Sequence, residues 1–575
     1  MKTTPVQQGS RSFVKAPSTR PGSPQPRSAI RENTLALVES FRCPDGWTPA
    51  LVTVNLIRLR TFGGDVESIR LVGADLAAGK PILPLLDAAL GRFGRRPAVS
   101  DTDGYLTFAE LDAESRGLAA ELLAVGVGAA QRVVIQATTS RWAIVAMLAV
   151  LRAGAQYVPV DRLFPRQRQE DVIAASGASC RVVESGQPHE GRSPLRITGA
   201  TARSSEPPSG VGPTGPSPAY TLFTSGSTGT PKGVVVTHDN LGYSTRARIR
   251  YYPEAPSTYL LCSSISFDSS VAGIYWSLVT GAHLVIPARN PLDVEAIVTA
   301  AYHHRGSHIL LLPSLYEAVL DTAGPGLLDS LRTVIVAGEP CLPRLVLRHF
   351  AQLPGAALYN EYGPTEGTVW SMVHRCRPTD ADGADVPIGR PIPGTTVHID
   401  LDGGRAGSPT GELRISGPGV AAGYATGTGA VVPFPVVDGT RSYRTGDIVG
   451  LDAENLVHFG GRTDSQLKIG GLRIELAEIE QAIVRRTGGR PVAVGIAGRG
   501  SPVPGLVAFV AGADVGESLP ALRRLLRDDL PRGAVPARWQ TVEQLPRLPN
   551  GKLDRAAVDR MAADHLRRPY PAEGW

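Results

Sequence analysis

Between Tyr220 and Val234 the chain reads Tyr-Thr-Leu-Phe-Thr-Ser-Gly-Ser-Thr-Gly-Thr-Pro-Lys-Gly-Val. An apolar run ends here in a turn where Gly226, Gly229 and Gly233 let a ligand approach the backbone closely. Thr224, Ser225, Ser227 and Thr228 offer hydroxyl donors and Lys232 a point charge. Such a set can wrap a triphosphate with backbone N–H groups and neutralise it. The segment is not a Walker loop: Pro231 precedes the lysine, and Gly233 stands where Ser or Thr would hold magnesium. A flexible Gly/Ser linker would not need this order of residues.

Other segments follow in order. Leu106 to Leu111 reads Leu-Thr-Phe-Ala-Glu-Leu, and Leu151 to Asp161 reads Leu-Arg-Ala-Gly-Ala-Gln-Tyr-Val-Pro-Val-Asp. Tyr359 to Glu366 reads Tyr-Asn-Glu-Tyr-Gly-Pro-Thr-Glu. Gly411 to Gly417, Tyr443 to Asp447, Gly461 to Asp464, Leu530 to Pro536 and Pro549 to Arg555 complete the series. Together with the loop, these segments resemble the motifs of the adenylate-forming superfamily, which includes acyl-CoA synthetases, luciferases and the adenylation domains of nonribosomal peptide synthetases. The resemblance covers about residues 82–560.

The resemblance implies a reaction in which a carboxylate attacks the α-phosphorus of ATP and expels pyrophosphate. Two anions must meet, so cations and oriented donors are needed where charge accumulates. It places Lys232 and the loop hydroxyls on the β- and γ-phosphates, Glu366 on Mg2+, Thr365 on the α-phosphate and Tyr362 against the adenine. Gly338 and Glu339 join the nucleotide set. Asp447 accepts both ribose hydroxyls, with Arg462 nearby, and a carboxylate suits this because it offers paired acceptors. Lys552 is the catalytic lysine of a small mobile domain, which rotates after adenylation to admit a phosphopantetheine thiol; Asp464 stands in the hinge motif. One departure occurs: the chain has Lys-Ile-Gly-Gly at 468–471, where the family usually has Lys-Ile-Arg-Gly.

Phe267-Asp-Ser-Ser stands at the family's substrate helix. In amino-acid-activating members this aspartate pairs with the α-ammonium, so Asp268 and Lys552 are expected to grip opposite ends of a zwitterion; a buried ammonium needs such a partner. The alternative for Asp268 is a helix N-cap. By alignment of the flanking motifs the pocket is lined by Ser269, Ala272, Leu311, Ile335, Ala337, Glu361, Val369 and Trp370. Two readings stand open: Glu361 pairs a cationic or hydrogen-bonding substrate side chain, or Trp370 fills the floor and leaves room for a small or medium aliphatic group. A β-amino acid is a further option.

Only 20 residues follow Arg555 and no Gly-Gly-x-Ser motif is among them, so the expectation is a free-standing enzyme that loads a separate carrier protein in natural-product biosynthesis. Rival readings are an amide-forming or CoA ligase of the same superfamily and a catalytically silent nucleotide sensor.

The elements that must position these residues are legible in outline. Strand-like runs (132–136, 307–312, 333–336) alternate with helical segments (143–152, 345–352), which predicts an α/β fold with much parallel sheet. The 575 residues exceed one ordinary core. The expected division is a disordered basic tail at 1–30, a hairpin or small appendage at 31–80, an adenylation core at 81–460, an α+β lid at 461–565 with Gly460-Gly461 as hinge, and a tail at 566–575. The net charge of +6 is mild and gathers partly at the amino terminus, so a solvated arm is expected rather than a nucleic-acid contact. Five cysteines (43, 180, 262, 341, 376) are scattered without a Cys-x-x-Cys pair, which predicts neither a disulfide framework nor a zinc site and fits a reducing cytoplasm. The most apolar stretch, 143–160, is interrupted by Arg152 and Gly154, so no membrane span is expected.

Overall fold

A computed structural model describes residues 35–41, 54–60, 66–76, 79–129, 131–178, 180–184, 195–198, 214–224, 231–401, 409–427, 430–463, 466–469, 472–498, 505–512, 519–530, 532–547 and 553–567. Two large sheets carry the core. The first has nine strands, with a run of parallel neighbours through Thr258–Leu260, His308–Leu311, Thr333–Ala337 and Ala357–Tyr362. The second has eight, with Arg132–Ala137, Gln156–Asp161 and Pro218–Thr224 parallel and Lys232–Thr237 returning antiparallel.

The apolar run at 143–160 divides between the helix Arg141–Arg152, in which every residue through Leu151 is buried, and the buried strand Gln156–Asp161. The helix contacts strands of both sheets, so a helix apolar on all sides is accounted for by two faces to cover. Ser140 starts it by accepting a hydrogen bond from the Ala143 N–H at 3.2 Å. Among the described residues no helix is long and apolar enough to cross a membrane.

The strands Leu35–Phe41, Val54–Arg60 and Val66–Val72 form a three-stranded antiparallel meander, one strand more than a hairpin. Its last strand, Val66–Val72, pairs with Thr396–Leu401, so the meander continues a third sheet built from later parts of the chain. Ile69 and Leu71 anchor it in the main core.

The carboxy-terminal unit has its own three-stranded sheet, Val492–Ala497, Gly505–Ala511 and Arg538–Val542, with separate apolar clusters on its two faces. The helix Leu476–Arg486 buries Leu476, Ile479 and Ile483 at helical spacing, as the sequence pattern implied. Arg168 reaches from the core to Glu478 of this helix at 2.9 Å. Gly460 and Gly461 lie inside the strand Val457–Arg462, with Gly461 opposite Ile448, so pairing with the core sheet extends to Arg462. The hinge-motif residue Asp464 lies outside the described residues.

Candidate active site

Thr224 stands opposite Lys232 at the end of an antiparallel strand pair. Ser225, Gly226, Ser227, Thr228 and Gly229 lie outside the described residues, as does Lys552. Gly233 has a different use from the one its sequence suggests. A Cβ there would come within 2.8 Å of the Thr221 methyl and 2.9 Å of the Phe223 ring, so strand packing demands the glycine.

The Lys232 ammonium lies 6.0 Å from the centre of the Tyr424 ring, and the Tyr424 hydroxyl donates to Glu366 Oε1 at 2.6 Å. One tyrosine thus connects the lysine of the loop to a buried acid more than a hundred residues later. Burial first, and then the Glu366 charge, push the Tyr424 phenol far above its ordinary range, so it remains a donor. Glu366 follows Thr365 in a single 3-10 turn, Thr365–Gly367, reached directly from the strand Ala357–Tyr362.

Asp447 is buried and draws two partners: the Tyr362 hydroxyl donates to Oδ2 and the Arg462 guanidinium to Oδ1. Strand register explains the second, since Asp447 and Arg462 are directly opposed across an antiparallel pair. Burial and the Asp447 charge hold the Tyr362 phenol well above its usual range. Gly338, just past the strand Thr333–Ala337, has φ of +86°, a conformation open to glycine at little cost. The neighbouring Glu339 carboxylate accepts the Ser314 N–H at 3.2 Å.

Asp268 is the first residue of the helix Asp268–Thr280; Phe267 holds the N-cap position, and no side-chain cap bond is formed there. The N-cap alternative for Asp268 is therefore not met. Its charge acts on the buried Tyr220 phenol, whose oxygen has no hydrogen-bond partner.

The expected pocket residues divide. Ile335 and Ala337 lie beside Tyr359 and Glu361 in paired parallel strands, and Ala272, Val369 and Trp370 belong to the same side of the core. Ser269 is half-buried one position after Asp268. Leu311 does not join them. Alternation along its strand places Leu310 with Ile335 and puts Leu311 with Val336 in the cluster on the other face.

Glu361 is the largest departure from a simple pocket. Arg248 grips it with two hydrogen bonds, Nη1 to Oε1 at 2.6 Å and Nη2 to Oε2 at 2.9 Å, and the Tyr252 hydroxyl also donates to Oε1. Arg248 lies 4.4 Å from the Trp370 ring centre and 5.6 Å from that of Trp276. Burial opposes the arginine's charge, but Glu361 outweighs it and raises the guanidinium further. Thr368 and Val369 hold φ of +56° and +80° just before Trp370. A β-branched residue there is strained, and such strain persists only where surroundings enforce it. Thr368 is fixed by its hydroxyl to the Gly419 carbonyl at 2.6 Å and by its carbonyl to the Ser244 hydroxyl at 3.0 Å. Sequence reasoning missed Arg248, Tyr252, Trp276 and Tyr424, because each acts on a residue far along the chain and no local spacing links them.

Residues 86–425 match the family model described as AMP-binding enzyme. Phosphinothricin tripeptide synthetase PhsC of Streptomyces viridochromogenes is 35% identical over 555 residues, covering 92% of this chain and 49% of that protein. Bacitracin synthase 3 of Bacillus licheniformis is 34% identical over 511 residues, 87% of this chain and 8% of that protein. The chain thus spans about half or less of the length of these relatives. Among solved structures, the fused adenylation–PCP di-domain NpsA-ThdA from Klebsiella oxytoca matches with a TM-score of 0.69 at 25% identity, covering 81% of this chain and 94% of that one. The Vibrio cholerae adenylation domain AlmE, in complex with glycyl-adenosine-5'-phosphate, matches with a TM-score of 0.67 at 26% identity, covering 86% and 99%. The loop lysine, the buried acids at 366 and 447 and this extent of similarity agree: the chain belongs to the AMP-binding enzymes of the adenylate-forming superfamily.

Proposed function

We propose that this chain activates an amino acid as its aminoacyl adenylate and passes the acyl group to the phosphopantetheine thiol of a carrier protein. The observation that carries the reading is the placement of Asp268 at the first position of a core helix, where its charge acts on the buried Tyr220, in a fold that links Lys232 to Glu366 through Tyr424 and buries Asp447 against Tyr362 and Arg462.

In the first step a substrate carboxylate oxygen bonds to the α-phosphorus and the bond to pyrophosphate breaks. In the second the thiolate attacks the acyl carbon and AMP leaves. Asp447 receives the ribose hydroxyls, with Tyr362 and Arg462 holding its carboxylate in place. Thr365 and Lys232 bind phosphate oxygens, the loop hydroxyls joining them. Gly338 and Glu339 border the nucleotide. Lys552 neutralises charge between the carboxylate and the α-phosphate. Glu366, a buried carboxylate that accepts from the Tyr424 phenol, suits Mg2+, and the ion would supply electrostatic stabilisation of phosphate charge. The soluble cytoplasm is the proposed site of action.

Both oxygens of Glu361 are used by Arg248, and Tyr252 adds a third bond. This favours an uncharged substrate side chain of small or medium size over a cationic one, with Trp370 and the ion pair as floor.

The test is ATP–pyrophosphate exchange against proteinogenic, β- and cationic amino acids, with aryl and fatty acids alongside. Exchange with a small or medium uncharged amino acid is expected. Exchange driven only by acids lacking an amine would sink the Asp268 assignment and favour the CoA-ligase branch. Incubation with carrier protein, coenzyme A or a free amine then identifies the acceptor.

A further inference from the structure

Cysteines that are scattered in the sequence meet in the fold. Cys341 precedes the helix Pro343–Gln352, and Cys376 follows the strand Met372–Arg375; the two thiols are near enough that Cys341 acts directly on Cys376 and pushes its thiol up. His374, two residues before Cys376, projects on the same side. Its Nε2 is 2.7 Å from Asp380 Oδ2, in the 3-10 turn Pro378–Asp382. Donor atoms of His374, Cys376 and Asp380 all lie within 4.8 Å of one another. Cys341, Cys376 and His374 are each less than a tenth exposed. Cys341 and Cys376 belong to the cluster on the sheet face away from Ile335 and Tyr359, so this group takes no part in the nucleotide or substrate site.

We propose that Cys341, His374, Cys376 and Asp380 form a tetrahedral zinc(II) site that clips the Pro378–Asp382 turn to the sheet.

Two sulfurs, one imidazole and one carboxylate form a donor set suited to zinc, whereas calcium and magnesium prefer oxygen ligands. Zn–S bonds of about 2.3 Å and Zn–N or Zn–O bonds of about 2.0–2.2 Å place tetrahedral donors roughly 3–4 Å apart, a small adjustment of the observed cluster. The hydrogen bonds to Asp380 from His374 and from the Arg377 N–H both fall on Oδ2, which leaves Oδ1 for a metal. On binding, both thiols release their protons to solvent, and the neutral imidazole carries its single proton on Nδ1, so that Nε2 gives up its hydrogen bond to Asp380 and binds zinc while Asp380 binds through Oδ1. Two thiolates and a carboxylate around a divalent ion leave one negative charge, offset by Arg377, whose charge already acts on Asp380. A cavity of about 500 Å³ bordered by His374, Cys376, Phe350 and Pro378 gives the ion an approach.

The experiment uses the full chain purified under reducing conditions without chelator, loaded with zinc chloride or cobalt chloride, and desalted. About one zinc per chain should remain, as expected for a preformed site. The cobalt form should show thiolate-to-cobalt absorption. Cys341→Ser and Cys376→Ser should abolish retention while amino-acid-dependent pyrophosphate exchange persists, and Asp380→Asn, a milder change, should weaken it. Chelation should lower the thermal midpoint of the wild type and leave that of Cys376→Ser unmoved. Failure of the wild type to retain zinc, equal retention by Cys376→Ser, or a Cys341–Cys376 disulfide in the purified chain would each overturn the proposal.

Discussion

Arg248 and Glu361, 113 residues apart, form a two-pronged ion pair with side chains 1% and 2% exposed. Removing one member of such a pair leaves an uncompensated buried charge, whereas replacing both with apolar groups of similar volume can be neutral. Arg248→Met should therefore destabilise the chain by about 3–5 kcal/mol, read as a drop in the urea midpoint. The double change Arg248→Met with Glu361→Leu should recover most of that loss. Equal destabilisation by the single and double variants would show that shape, not charge, holds this region together.

Asp268→Ala should reduce kcat/KM for the amino acid by about a hundredfold or more, the cost of leaving one partner of a buried charge pair alone. ATP binding, followed by calorimetry, should persist. A variant that kept its amino-acid preference would remove the ammonium assignment.

Lys552→Ala should slow adenylate formation by roughly 10²–10³-fold, the scale seen when one stabilising donor is lost, with ATP affinity little changed. Single-turnover kinetics separates the two effects. A weaker ATP complex with an unaltered chemical step would place the lysine in nucleotide binding instead.

Asp447→Asn withdraws a charged acceptor from Tyr362 and Arg462 as well as from the proposed ribose. Loss of one hydrogen bond to a charged group costs about 1.5–3 kcal/mol, so KM for ATP should rise by about tenfold or more. Unchanged KM for ATP would dissociate Asp447 from the nucleotide.

Four imidazoles, the buried His238 and His308 and the half-buried His283 and His398, are pushed down to about 4, desolvation being the largest cause in each. Their ordinary value is 6.5, so the unfolded chain binds these protons at higher pH than the folded one. Stability contributed by the neutral rings is present above pH 6.5 and falls as pH drops from there towards 4. Urea midpoints measured across that interval should decline, and His238→Phe should flatten the decline; neither nitrogen of His238 has a hydrogen-bond partner. A midpoint independent of pH there contradicts this account.

Local order and alternation made much of this molecule readable before its structure. Glycines, hydroxyls and a lysine in one short run point to a phosphate loop because the expected use is local, although residues 225–230 lie outside the described residues. The parallel sheet and the helix Leu476–Arg486 follow from periodicity, which is also local. What escaped reading depends on distance in the chain. Tyr424 reaches Glu366 across 58 residues, and Arg248 reaches Glu361 across 113. Leu311 was misplaced because an alignment assigns a position without its facing, and one step along a strand reverses it. Gly460-Gly461 suggested a bend, but pairing with Ile448 keeps Gly461 in the sheet.

The strand Ala357–Tyr362 has one more consequence. Tyr359 packs in the aromatic floor and Glu361 bonds to Arg248, while Asn360 donates to the Pro387 carbonyl and Tyr362 to Asp447. Glu361 and Tyr362 are joined by a single peptide unit, which is planar and stiff. Under the proposed assignment, the gauge between the group that would bound the acyl donor and the group that would anchor the nucleotide is therefore set by covalent bonds rather than by domain closure. Side chains facing the floor can be exchanged to admit a new acid without recalibrating the distance to the nucleotide, whereas a one-residue insertion in this strand would disturb both alignments together.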